Sequence, residues 1–245
     1  MSVEAVVTGR RAVAEAVKAG RALEVLVDDG ARSTQGLREV LDAARAAGVK
    51  VRTVPRADLE AFETDHRGVV ARVGASASRE LSERELASFD FADDAFVIVL
   101  DGIEDPQNLG AAARTAEASG AVMLVSRTRR AAPVTPAAVR ASAGALLHLP
   151  HARVANITKA IGRLQEAGFF VVGLDGKADA TVYDEPCPPG RVAIVLGAEG
   201  TGLSRLVREH CDALVSLPMR GRVASLNASA ALAATLYSYV VPGRR

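Results

Sequence analysis

The chain has 245 residues, 49% of them hydrophobic, and a formal net charge of +1. That is enough to bury a core without staples, and it excludes collagen-like, disordered and disulfide-scaffold classes. The two cysteines, Cys187 and Cys211, form neither a disulfide framework nor a metal-ligand spacing. No uncharged run nears the roughly 20 residues of a membrane span, and the first residues carry charge without the apolar core of a signal peptide. The expected setting is the cytoplasm, with no metal and no membrane partner.

Taken in chain order, residues 10–19 predict a helix stopped by Gly20, and 23–27 a strand. Residues 36–47 carry Leu37, Val40, Leu41 and Ala44 at helical spacing and end at Gly48, as a helix does. A strand over 49–54 is closed by Pro55, a short helical stretch runs to Phe62, and 68–73 makes another strand. Residues 1–74 are therefore expected to form a small α/β domain. Residues 75–92 turn to Ser, Glu and Arg, with Leu81, Leu86, Phe89 and Phe91 as apolar anchors, which suits an exposed connection with room for a short helix.

A second domain is expected over 93–245. Its first strand, 96–100, is a continuous apolar run of the kind buried on both faces of a parallel sheet. Further strands are predicted at 121–125, 145–149, 169–174, 192–196 and 213–217, separated by helix-length segments. The fold class is α/β, with a mostly parallel C-terminal sheet and helices on both sides.

Neutral overall charge argues against a polyanionic partner, but the arginines are bunched. Arg10, Arg11 and Arg21 lie near the start, Arg127, Arg129 and Arg130 in mid-chain, and Arg220 and Arg222 further on. A planar guanidinium matches phosphate with two parallel donors and stacks on bases, so local clusters can make an RNA footprint in a neutral protein. The plain alternative is a set of solvated surface charges.

Three segments carry the chemistry. They read Asp105-Pro-Gln-Asn108-Leu-Gly110-Ala-Ala-Ala-Arg114-Thr115, then Leu196-Gly197-Ala-Glu199-Gly200-Thr-Gly202-Leu-Ser204, then Leu217-Pro218-Met219-Arg220-Gly-Arg222-Val-Ala-Ser225-Leu-Asn227-Ala-Ser229. Each lies where an apolar run gives way to a helical pattern, at the carboxyl end of an expected strand, where open α/β sheets bind ligands. Taken singly, each has an ordinary explanation: a helix start with Gly110 for close packing, a pair of tight turns, and a helix capped by Ser225 or Asn227. The second segment is not the dinucleotide fingerprint, because its glycine spacing differs, and it lacks the lysine of a phosphate-binding loop. The conjunction in one order is what carries information.

Together these segments resemble the signature motifs of the SpoU (TrmH) family of RNA ribose 2′-O-methyltransferases. The run Ser142-Ala-Gly-Ala145 with Leu149-Pro150 is similar to that family too, and Val7-Thr-Gly9-Arg-Arg-Ala-Val13 and His66-Arg-Gly-Val-Val70 resemble the small ribosomal-protein-like substrate domain of its ribosomal RNA members. The third segment departs from many relatives at Ala224 and Ala228, and Arg67 follows His66 where glutamine is frequent. The resemblance implies a trefoil-knotted C-terminal domain of SPOUT type, S-adenosylmethionine as cofactor and a homodimer. It further implies a reaction centre of Asn108, Arg114, Glu199, Ser225 and Asn227, with backbone around Gly197, Gly200, Leu217, Met219 and Leu226 enclosing the cofactor. Arg10, Arg11 and Lys18 are the candidate RNA contacts. A guanosine of 23S ribosomal RNA is the expected substrate, with transfer RNA, or a role as a non-catalytic RNA-binding assembly protein, as the alternatives.

Overall fold

The computed structural model describes residues 5–62, 66–73, 80–184, 186–223 and 225–243. The N-terminal part runs β1 (Ala5–Thr8), α1 (Arg10–Lys18), β2 (Ala22–Asp28), α2 (Gln35–Ala46), β3 (Lys50–Val54), α3 (Arg56–Glu60) and β4 (Val69–Val73). Its sheet is ordered β1-β4-β2-β3, with β2 and β3 parallel and β4 antiparallel to both of its neighbours. Helix α1 buries Val13, Ala16 and Val17, and α2 is opened by Thr34, whose side chain accepts from the Leu37 amide. Strand β1 was not foreseen, since four residues are too few to declare a period.

The C-terminal part runs β5 (Glu80–Leu81), α4 (Glu83–Ala87), β6 (Phe96–Asp101), α5 (Pro106–Ala118), β7 (Met123–Arg127), α6 (Pro136–Ala141), a 3₁₀ turn (Ala145–Leu147) and β8 (His151–Val154). It continues through α7 (Ile157–Glu166), β9 (Phe170–Leu174), β10 (Val192–Gly197), α8 (Arg205–His210), β11 (Ala213–Val215) and α9 (Ala228–Thr235), which passes into a π turn (Leu236–Val240). All seven strands are parallel, in the order β11-β9-β10-β6-β7-β8-β5. Along the central strands the side chains alternate between two cores: Ile98, Leu100 and Ile194 on one face, Val97, Val99, Ala193 and Val195 on the other. Burial on both faces is why β6 and β10 read as unbroken apolar runs.

One expected strand is overturned. Residues 145–149 hold the 3₁₀ turn, and the strand follows at His151–Val154. Gly144, at φ 94°, starts the turn, and the Ser142 hydroxyl accepts from the Leu146 amide at 3.3 Å. Leu146 and Leu147 are fully buried there, so their apolar run marked burial without marking backbone conformation. Within the stretch expected to connect the two parts, Glu80–Leu81 pairs in register with His151 and Ala152, and Ser82 and Glu85 close a capping box on α4.

The two parts meet where α1 and β1 pack on α6 and the 3₁₀ turn. Arg140 donates to the buried Thr8 hydroxyl at 2.6 Å, and a Cβ on Gly144 would sit 2.5 Å from Glu15 Cβ. Helices α5 and α6 are equally close. A Cβ on Gly110 would come within 2.4 Å of the Ala138 carbonyl and 2.5 Å of Ala141 Cβ. Alanine gains about 1 kcal/mol in helix propensity over glycine, but overpacking of this kind costs about 1–3 kcal/mol. Gly110→Ala is therefore expected to lower the thermal midpoint by several degrees in a calorimetric scan, despite the better helix former.

His151 on β8 is fully buried, hydrogen-bonded through Nε2 to the Ser126 hydroxyl at 2.8 Å, and its Nδ1 has no partner among the described residues. Burial, and secondarily Arg153, push its pKa down to about 3 from 6.5. The unfolded chain takes up this proton below about pH 6.5 while the folded one resists it. The neutral imidazole's contribution is thus complete above pH 6.5 and is lost as pH falls toward 3, by about 1.4 kcal/mol for each pH unit inside that window. Urea midpoints measured from pH 7 to pH 4 should fall more steeply for the wild type than for His151→Gln.

Candidate active site

The three segments meet at the carboxyl ends of β6, β10 and β11. Asp105 caps α5 by accepting from the Asn108 amide at 3.0 Å, with Pro106 in the first helical position, where its missing N–H costs nothing. Asn108 therefore sits in the first turn. Its Nδ2 donates to Glu199 Oε2 at 3.3 Å, and its Oδ1 accepts from Asn227 Nδ2 at 3.1 Å.

The orientation of both amides follows from the cap of α9. Asn227 Oδ1 accepts from the Ser229 backbone at 2.9 Å and from the Ser229 hydroxyl at 2.6 Å. That leaves its Nδ2 as the group facing Asn108, which must answer with Oδ1 and so turns its own Nδ2 to the carboxylate. A donor chain runs from the start of one helix, through the start of another, to Glu199.

Glu199 stands at the tip of a tight loop. Ala198 and Gly202 exchange two backbone hydrogen bonds of 3.1 and 2.8 Å, and Gly200 and Gly202 take φ of 80° and 69°. Gly197 at the root has no room for a side chain, since a Cβ would lie 2.1 Å from the Gly202 carbonyl carbon. The loop's far end is fixed by a residue that sequence reasoning missed. Asp101, 3% exposed at the end of β6, accepts from the Ser204 amide at 2.8 Å and pairs with Arg127 at 2.6 Å. The signal for it was a carboxylate closing a strand that is otherwise wholly apolar.

The remaining site candidates are placed as follows. Leu217 packs on the core after β11, while Met219 and Leu226 leave 39% and 43% of their surface exposed around an open loop. Ser225 is exposed and makes no hydrogen bond among the described residues, and Ala224 lies outside them. Arg114 is exposed on α5, with no hydrogen bond or ion pair among the described residues. Six residues of helix set it about 9 Å along the axis and roughly a third of a turn round from Asn108. Of the RNA candidates, Arg10 is half-buried and donates to the Thr34 hydroxyl at 2.7 Å, Lys18 pairs with Glu15 at 2.9 Å, and Arg11 is exposed. Cys211 is a packing thiol: burial first, then Asp212 and Asp101, push it up to about 12.

These strand ends suit S-adenosylmethionine. Met219, Val223 and Leu226 expose apolar surface of the kind a purine covers, and Glu199 is a carboxylate, a group whose charge suits a sulfonium. Residues 95–237 match the SpoU rRNA Methylase family, and residues 6–78 match the RNA 2′-O ribose methyltransferase substrate binding family. The chain belongs to the SpoU rRNA methylase family. The 23S rRNA (guanosine-2′-O-)-methyltransferase RlmB of Xanthomonas campestris pv. campestris is 39% identical over 240 residues, covering 96% of this chain and 95% of that protein. The SpoU methyltransferase AviRb of Streptomyces viridochromogenes, solved with AdoMet, superposes with a TM-score of 0.78 at 30% identity, covering 98% of this chain and 90% of that one. A second solved structure, an RNA 2′-O ribose methyltransferase, gives a TM-score of 0.80 at 27% identity, with 98% and 88% covered. The expected SpoU assignment and α/β class hold along both parts of the chain, with the parallel sheet in the C-terminal part.

Proposed function

We propose that this SpoU-family chain methylates the ribose 2′-hydroxyl of a guanosine in 23S ribosomal RNA, in the cytoplasm and as a homodimer. The observation that carries the assignment of roles is the chain Asn227–Asn108–Glu199, which joins all three segments through side chains. S-adenosylmethionine supplies a methyl group on a sulfonium, and the backbone around Gly197, Gly200, Leu217, Met219 and Leu226 is the surface proposed to hold it.

The chain's own residues then have two tasks. Asn108, Glu199 and Asn227 orient donor and sugar, with Ser225 completing the polar edge, and such positioning supplies much of the rate. Arg114 grips a phosphate and stabilises negative charge as it builds on the sugar oxygen. A guanidinium with a pKa above about 12 is a poor proton acceptor at neutral pH, so this role is electrostatic. Residues 1–74 present the RNA, with Arg11 the freest of the three proposed contacts, and 93–245 carry out the transfer. The trefoil knot belongs to the same proposal, and pulling the unfolded chain by its termini should give a contour shorter than an unknotted chain of this length.

The name of the RlmB relative supports ribosomal RNA as the substrate. The test is to incubate the protein with labelled S-adenosylmethionine and total RNA and then map the labelled ribose. A single guanosine in large-subunit RNA is the expected result. Label confined to transfer RNA would overturn the substrate, and a protein that binds no cofactor and labels no RNA would overturn the enzyme. Sedimentation of the purified protein checks the dimer.

A further inference from the structure

The mid-chain arginines divide into one that is spent and two that are free. Arg127 is committed to the buried Asp101 at 2.6 Å. Arg129 and Arg130 follow on the loop between β7 and α6, both exposed and both without a hydrogen bond or ion pair among the described residues, Glu104 and Asp105 of the neighbouring segment included.

The loop that carries them is held at several points. The Thr128 amide donates to the Val154 carbonyl at 2.9 Å, and the Ala132 amide donates to the Ile103 carbonyl at 2.8 Å. Arg153 reaches across to the Ala132 carbonyl at 3.0 Å, and Ala132 itself is 1% exposed. Between these anchors Arg130 takes a φ of 52°, in the left-handed region that a residue with a Cβ adopts only under constraint. Solvated charges on a surface need no such fastening. Ile103 lies two residues before the Asp105 cap of α5, and Asp101, which holds Arg127, also holds the Ser204 end of the Glu199 loop. The backbone that carries the two free guanidiniums is therefore fixed to the same strand-end framework as the proposed reaction centre.

We infer that Arg129 and Arg130 form a phosphate grip on the catalytic part itself, taking two phosphodiesters of the RNA strand that flanks the target ribose. The inference rests on an RNA substrate, as proposed above, and adds a contact surface separate from Arg10, Arg11 and Lys18. Two guanidiniums carried on a held backbone suit phosphate geometry and carry no base information, so they would fix the register of the strand whatever its sequence.

The test is the double variant Arg129→Ala/Arg130→Gly, in which glycine also relieves the left-handed strain, so that folding is not lost along with the charge. Binding of deproteinised large-subunit ribosomal RNA is measured against salt, alongside calorimetry with S-adenosylmethionine. Losing two phosphate contacts should reduce the slope of log K on log salt by about 1.4–1.8 and weaken binding at low salt by about tenfold, with cofactor affinity unchanged. Arg129→Lys/Arg130→Lys should keep most of the slope. If the wild type methylates RNA and the double variant binds it with the same slope and affinity, the grip is refuted. If the wild type methylates no RNA while the variant still loses the slope, the grip stands and the proposed reaction falls.

Discussion

Replacing Arg114 with alanine is expected to lower kcat by about 10²–10³-fold, the usual cost of removing one preorganised donor aimed at developing negative charge, and to leave cofactor affinity unchanged. The side chain is exposed on α5 without a partner among the described residues, so its removal leaves no buried charge stranded and should leave the thermal midpoint within a degree or two. Arg114→Lys separates two chemical roles. A lysine keeps a positive charge but loses the planar fork, so partial activity with an unaltered pH–rate profile is expected. If lysine instead restores turnover and brings a new ionisation near its own value of about 10.4, the side chain is abstracting the proton and the electrostatic role is wrong. The comparison is informative because Arg114 lies six residues from Asn108 along a regular helix, and the proposed role gives it the RNA rather than the amide–carboxylate chain as its target.

Much of this architecture was legible in the sequence, for reasons that differ from element to element. Strands β6 and β10 announced themselves because burial on both faces leaves nothing polar inside them, and α2 did so through helical spacing and the glycine beyond its end. The start of helix α5 was legible because a proline after acidic residues can open a helix, and Asp105 and Pro106 are its cap and first helical position. What failed was the stretch around 145–154, where the same buried apolar content serves a 3₁₀ turn and then a strand.

The site divides the same way. Asn108, Glu199 and Asn227 were singled out as members of three segments in a fixed order, and the structure joins them by hydrogen bonds. Asn108 and Arg114 belong to one segment, six residues apart, and the regular helix between them sets them on different sides. Asp101 went unnoticed because its importance lies in a backbone amide 103 residues later, and such pairings leave no mark on local pattern. Arg10 was put forward as an RNA contact, and the structure adds that one of its donors is engaged by Thr34, next to the start of α2.

Gly197→Ala should be the most damaging single methyl in the catalytic part. The built Cβ lies 2.1 Å from the Gly202 carbonyl carbon, 2.3 Å from the Leu203 nitrogen and 2.4 Å from the Gly202 oxygen, all backbone. No side chain can swing aside to relieve those contacts. The strand cannot retreat either, because Val192–Leu196 is paired on both edges in the middle of the sheet and Gly197 is paired with Asp101. The loop must therefore open, breaking the Ala198–Gly202 pair and carrying Glu199 away from Asn108. Overpacking costs about 1–3 kcal/mol of stability, but the functional loss is expected to be larger, since displacing a site element by about 1 Å can cost about 10²-fold. Gly200→Ala is the matched control. At φ 80° with nothing within 4 Å of its Cβ, it carries backbone strain without a clash, which at about 1–2 kcal/mol leaves the loop path intact. Calorimetry with S-adenosylmethionine on both variants should find binding beyond about 100-fold weaker for Gly197→Ala and less than about tenfold weaker for Gly200→Ala. Equal affinities in the two variants, or wild-type affinity in Gly197→Ala, would mean that the cofactor is held somewhere other than this loop.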